Sequence, residues 1–171
     1  GRAPFLSRLT NVDTNPDLLF TIGRSGVWRS EDFGGFWTLS TLPGSIDRSS
    51  MPDVESSRPI PQIVCAGDGM GSNSSGLGGH VYLSTDNGFS FSPVDTFGSI
   101  GPLTGIYPDP VDENTVFVTF GVSERPKILR STDLGESWED LSGFSRSGSA
   151  TGFPNVATLS FVSLPLETPT Y

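Results

Sequence analysis

Apolar and polar positions along the chain alternate in short bursts, bounded by Gly, Pro, Asp and Ser. Three brief runs, "GVWRS", "HVYLS" and "KILRS", each end in serine. Three others, "LLFTIG", "QIVCAG" and "VFVTFG", each end in glycine. Runs this short, rich in β-branched and aromatic residues and closed by turn formers, read as strands. No stretch of ten residues carries a helical period. The fold class expected is all-β.

The strands recur in a fixed order, which is the signature of a repeat architecture. Residues 29–37 read "RSEDFGGFW", residues 83–91 "LSTDNGFSF" and residues 130–138 "RSTDLGESW". All obey Ser-x-Asp-x-Gly-x-x-aromatic. The matched sets are Ser30, Ser84 and Ser131; Asp32, Asp86 and Asp133; Gly34, Gly88 and Gly135; and Trp37, Phe91 and Trp138. Ser30 to Ser84 is a step of 54 residues and Ser84 to Ser131 one of 47. Aligning Gly23, Gly67 and Gly121 places Cys65 opposite Thr21 and Thr119. Pro- and Asp-rich turns such as "YPDPVDENTVF" precede the glycine-ended strands. Each unit therefore reads as a four-stranded antiparallel meander. Inner strands apolar on both faces require neighbours on both sides, as in the blades of a β-propeller. The expected units are 1–43, 44–97, 98–144 and a partial fourth at 145–171.

The motif resembles the Asp-box, or bacterial neuraminidase repeat. It occurs in sialidases, xyloglucanases, sortilin-like receptor domains and secreted bacterial surface repeat proteins. The resemblance implies blade architecture, with the motif on the hairpin between third and fourth strands at the outer part of the blade. A secreted or cell-surface setting goes with it. The motif residues themselves point to a structural role. Glycine supplies a positive φ, the aspartate accepts turn amides, serine caps a backbone group, and the aromatic anchors the turn. Glu136, Glu139 and Asp140 do not recur and are expected to face water. The acidic "PDPVDENT" (Asp109, Asp112, Glu113, Asn114) reads as an inter-strand turn, and neither segment has EF-hand spacing.

Composition trims the functional classes. The chain has 171 residues, 21 Gly, 14 Pro and a net charge of −9. Nucleic acid is an unfavourable partner, because phosphate neutralisation needs clustered cations, and Lys127 is the one lysine beside nine arginines. No apolar run is long enough to span a bilayer. Cys65 is the one cysteine, so no intrachain disulfide forms, and its apolar surroundings indicate a buried side chain. One histidine, His80, and one cysteine build neither a catalytic triad nor a zinc site. No cofactor or metal is expected. Gly1 is not an initiator, and three blades with part of a fourth do not close a ring. The remaining blades are expected from the same longer chain or from neighbouring chains.

Candidate recognition elements are the variable loops. The segment "DGMGSNSSGLGGH" from Asp68 to His80 is the longest and includes Asn73 in a formal glycosylation sequon. Residues 45–58 form a second irregular region in place of a clean first strand for unit two. No catalytic residue is assigned. A sialidase-like enzyme implies an arginine triad and a tyrosine nucleophile, but Tyr82 and Tyr107 fall at strand positions. A xyloglucanase-like enzyme needs two opposed carboxylates, and their context is not recognisable. The preferred reading is a binding or scaffolding segment for a protein or glycan ligand, leaning away from catalysis. The alternative is part of a sialidase- or xyloglucanase-like glycoside hydrolase whose catalytic residues lie partly outside this chain. An assembly factor docking onto a larger complex is a third reading.

Overall fold

The computed structural model describes residues 8–43, 53–60, 62–67, 79–98, 100–121, 125–143, 152–154, 156, 158 and 160–162. Among them lie twelve strands in three four-stranded antiparallel sheets. The first sheet holds β1 (Leu9–Val12), β2 (Asn15–Gly23), β3 (Gly26–Ser30) and β4 (Thr38–Thr41), in that order. The second holds β5 (Asp53–Ser56), β6 (Val64–Gly67), β7 (Val81–Ser84) and β8 (Ser92–Pro93). The third holds β9 (Leu103–Pro108), β10 (Val116–Phe120), β11 (Ile128–Ser131) and β12 (Glu139–Asp140). Each sheet is a meander of blade form.

The sheets stack because their middle strands are apolar on both faces. Phe20, Ile22 and Val27 of the first sheet pack with Val54, Ala66 and Tyr82 of the second. Cys65 and Val81 of the second pack with Ile106, Val118, Phe120 and Leu129 of the third. Full burial of each large side chain stabilises by about 1.5–3 kcal/mol relative to exposure. The first strands β1, β5 and β9 converge, as inner strands of a propeller do. Thr10 Oγ1 donates to Glu55 Oε2 at 3.0 Å, Ser56 Oγ to the Asn11 carbonyl at 3.1 Å, and the Ile106 amide to Asp53 Oδ2 at 3.0 Å.

The register corrects two expectations. Ser30, Ser84 and Ser131 pair with Leu19, Val64 and Val116. Counting along the strands from there, Cys65 is equivalent to Phe20 and Phe117, not to Thr21 and Thr119. The glycines that end the three runs are therefore out of phase. A slip of one residue exchanges the two faces of a strand, so matching glycines misassigned the faces. Residues 53–56, expected to be irregular, form the first strand of the second sheet. The charged Asp53 and Glu55 of "DVES" hid it, because Asp53 is buried against the common polar-out rule.

One transverse row differs among the blades. Val54, Ala66, Tyr82 and Pro93 lie opposite one another in the second sheet, and Ile106, Val118, Leu129 and Asp140 in the third. The equivalent row of the first sheet is Leu9, Thr21, Trp28 and Leu39. Tyr82 and Leu129 are buried by the preceding sheet, whereas Leu9 is 63% and Trp28 37% exposed.

Candidate functional site

The repeat motif folds into three near-identical turns, each between the third and fourth strands of its sheet. Phe33, Asn87 and Leu134 have φ of 55°, 59° and 55°, and Gly34, Gly88 and Gly135 have φ of 91°, 76° and 91°. Two consecutive left-handed residues reverse the chain, and the non-glycine one costs about 1–2 kcal/mol. The motif side chains offset that cost. Ser84 Oγ donates to Asp86 Oδ1 at 2.7 Å and accepts the Gly88 amide at 2.8 Å. Ser30 and Ser131 do the same for Asp32 with Gly34 and for Asp133 with Gly135. The aspartates then accept the amides of Phe36, Ser90 and Ser137 at 2.8, 2.9 and 2.9 Å.

These bonds favour the ionised carboxylates. Asp86 is held down at about 2, first by the Ser90 hydroxyl, then by the Ser90 amide and the Ser84 hydroxyl. Asp133 is lowered first by the Ser137 hydroxyl, and Asp32 first by the Phe36 amide. Their oxygens serve the turn. The aromatics close it: Trp37 and Trp138 donate Nε1–H to the Gly34 and Gly135 carbonyls, and Trp138 also to Val94 of the preceding blade. Phe91 is buried in the core between first and second sheets.

The remaining sequence candidates scatter. Asp68 and Asn73 lie outside the described residues. His80 is exposed just before β7 and sits 2.8 Å from Asp95 Oδ2 through Nδ1. Cys65 is fully enclosed, and burial pushes its thiol up to about 12. Glu136, Glu139 and Asp140 are exposed. In "PDPVDENT", Asp109 Oδ1 accepts the Val111 and Asp112 amides, and Asp112 accepts the Asn114 amide and Thr115 hydroxyl. Among the described residues, no three His, Cys, Asp or Glu side chains are grouped to hold a metal ion, and no helix is long and apolar enough to cross a membrane.

A different set of residues surrounds open space. A cleft of about 260 Å³ lies where β5 and β9 run past each other, lined by Glu55, Arg58, Tyr107, Pro108, Phe161 and their neighbours. Its origin is positional. Thr10, Glu55 and Tyr107 are paired to Phe20, Cys65 and Phe117, so they occupy one equivalent place on the three inner strands. Phe161 packs against Phe117 and Tyr107, with ring centroids 4.8 and 5.8 Å away, and walls the far side. Burial raises the Glu55 carboxyl, the neighbouring Asp53 charge adds to the rise, and the Thr10 hydrogen bond opposes it. Asp53 is also raised, first by burial, despite the Ile106 amide and Arg8. Asp53 is closed off by its partners, with Arg8 Nε at 3.4 Å, whereas Glu55 faces the cleft. Arg58 stands at the mouth with its Nε 3.3 Å from Asp13. Sequence reasoning missed this set. The available signal was the polar pair Asp53 and Glu55 flanking Val54 in a strand position.

Comparison with known proteins bears on this architecture. No family model matches the chain. A xyloglucanase of Hypocrea jecorina (strain QM6a) is 29% identical over 126 residues, which is 73% of this chain and 13% of that protein. The chain thus spans about an eighth of the curated relative it matches. Among solved structures, an ancestral GH74 enzyme aligns over 80% of this chain and 18% of its own, with TM-score 0.61 and 19% identity. The GH74 xyloglucanase of Xanthomonas campestris aligns over 81% and 23%, with TM-score 0.62 and 16% identity. YCF48 bound to D1 peptide aligns over 82% and 40%, with TM-score 0.57 and 17% identity. The chain has the fold of partial β-propeller blades. The sequence match favours the glycoside-hydrolase alternative over the sortilin-like binding reading that the motif first suggested.

Proposed function

We propose that this chain is part of a propeller-type glycoside hydrolase of xyloglucanase kind, acting on a neutral plant-type β-glucan in a secreted or cell-surface setting. The observation that carries the reading is the 126-residue match to a xyloglucanase. The repeat turns are of Asp-box type in this reading, and the blades divide at 1–43, 44–97, 98–144 and 145–171. Hydrolysis requires two carboxyl groups facing each other across the scissile bond. Among the described cleft residues one carboxyl, that of Glu55, meets open space. The role proposed for the segment itself is therefore to frame and contact substrate, with the catalytic pair completed elsewhere.

Release of reducing ends from xyloglucan by the full-length protein tests this. Turnover of xyloglucan, with little on anionic pectin, is the expected result. A folded full-length protein that cleaves no β-glucan overturns the hydrolase reading. Specific capture of a protein ligand by that inactive protein would restore the binding reading.

A further inference from the structure

We infer that the cleft between β5 and β9 is a subsite for one neutral pyranose ring, held by Glu55 and Arg58 against an apolar wall of Tyr107, Pro108 and Phe161. The inference rests on the glycan-acting function proposed above and adds the place and the contacts. Four observations carry it.

The first is size. At about 260 Å³ the cleft falls just below the usual small-molecule range of about 300–1,000 Å³. It suits a single ring of a longer chain, not a whole oligosaccharide. The second is chemistry. A pyranose presents an apolar C–H face and a rim of hydroxyls, so it needs apolar surface beside polar groups. Tyr107 and Phe161, inclined at 62° to each other, and Pro108 supply an angled apolar wall against which one ring face can lie.

The third is unused hydrogen-bonding capacity. Glu55 accepts Thr10 at Oε2, and its Oε1 has no protein donor among the described residues. A half-buried carboxylate oxygen gains from a hydroxyl donor. Arg58 engages Asp13 through Nε, leaving its terminal nitrogens as a planar donor pair at the mouth. The fourth is charge. The Arg58 guanidinium is already paired with Asp13, so the Glu55 carboxylate leaves the cleft with no spare positive charge, and the chain as a whole carries −9. Anionic polysaccharides are disfavoured, and neutral ones are not.

Titration of the 171-residue chain with a xyloglucan oligosaccharide, followed by calorimetry and backbone NMR, tests the subsite, with an oligogalacturonide as the anionic control. Binding on the order of 1 mM is expected for one ring-sized site. The amide shifts should centre on β5 and β9. Arg58→Ala and Phe161→Ala, both outside the sheets, should each weaken binding about tenfold. Glu55→Gln should retain more affinity than Glu55→Ala. Trp28→Ala, on the exposed face of the first sheet, should leave binding unchanged.

Several results overturn the subsite while sparing the proposed function. These are binding lost in Trp28→Ala but kept in Arg58→Ala and Phe161→Ala, or no binding by this chain while the full-length protein cleaves xyloglucan. Preference for the oligogalacturonide overturns the neutral-ligand argument. Failure of the full-length protein to cleave or bind any β-glucan overturns the proposed function itself.

Discussion

The outer turns and the inner cleft are built on opposite terms. Each turn repeats a serine, an aspartate, a glycine and an aromatic, and in each the serine hydroxyl bonds the aspartate carboxylate within the turn. The inner strands repeat a position but not a residue: Thr10, Glu55 and Tyr107 fill it in turn. Repetition marks what every blade needs to reverse its chain. Variation at an equivalent place marks what a single location on the molecule needs. For a repeat fold, the informative residues for function are those that break the pattern at a fixed register.

The turns also differ among themselves in what lies behind them. A Cβ on Gly88 would lie 2.6 Å from Phe20 Cε1, and one on Gly135 2.6 Å from Val94 Cβ. On Gly34 the nearest atom would be at 3.6 Å, within its own turn. Gly88→Ala and Gly135→Ala should therefore combine left-handed strain, about 1–2 kcal/mol, with overpacking against the preceding blade, about 1–3 kcal/mol. Gly34→Ala should show only the strain. Denaturant midpoints of the three variants measure the difference. Equal losses at all three would show that the glycines answer to the turn alone.

The next largest effect concerns the unequal transverse rows. Tyr82 is 6% exposed and Trp28, at the equivalent place, 37% exposed. Tyr82→Ala should cost about 3 kcal/mol, whereas Trp28→Ala should stay within about 1 kcal/mol in this chain. Thermal unfolding of the two variants checks the stacking order. A large loss from Trp28→Ala would mean that the first sheet is covered after all.

The smallest effect is the pH dependence, in which the two regions oppose each other. The folded state holds Asp86 at about 2 against an ordinary 3.8. Its contribution to stability is present above about pH 4 and is lost as pH falls toward 2. Asp53 and Glu55 are raised by burial above 3.8 and 4.5. Their folded forms favour the proton, so stability falls as pH rises through their folded values and recovers on mild acidification. The melting temperature should peak on the acid side of neutrality. Asp53→Asn and Glu55→Gln should flatten the neutral limb, and Asp86→Asn the acid limb. A profile unchanged by the inner substitutions would contradict the burial argument.

Legibility followed the same division. The turns could be read because their chemistry is local: Ser84, Asp86 and Gly88 lie within five residues and satisfy one another. Strand existence was readable from apolar runs, but phase was not. Cys65 takes the place of Phe20 and Phe117 because pairing, not the terminal glycine, sets register. The first strand of the second blade escaped notice because Asp53 is buried by contacts from two other blades, through Arg8 and the Ile106 amide. The long loop with Asp68 and Asn73 attracted attention by its composition, yet the open space described lies between short strands.

The amino-acid sequence by itself determined the repeat, the blade form and the chemistry of the turns, since these depend on neighbours a few residues apart along the chain. The tertiary structure decided which face each strand presents, which glycine meets a neighbouring blade, and that Glu55, Arg58, Tyr107 and Phe161 share one cleft. Those outcomes depend on register and on sheets stacked across tens of residues of chain. A local pattern is silent there, because the groups that bury or free a side chain come from other blades.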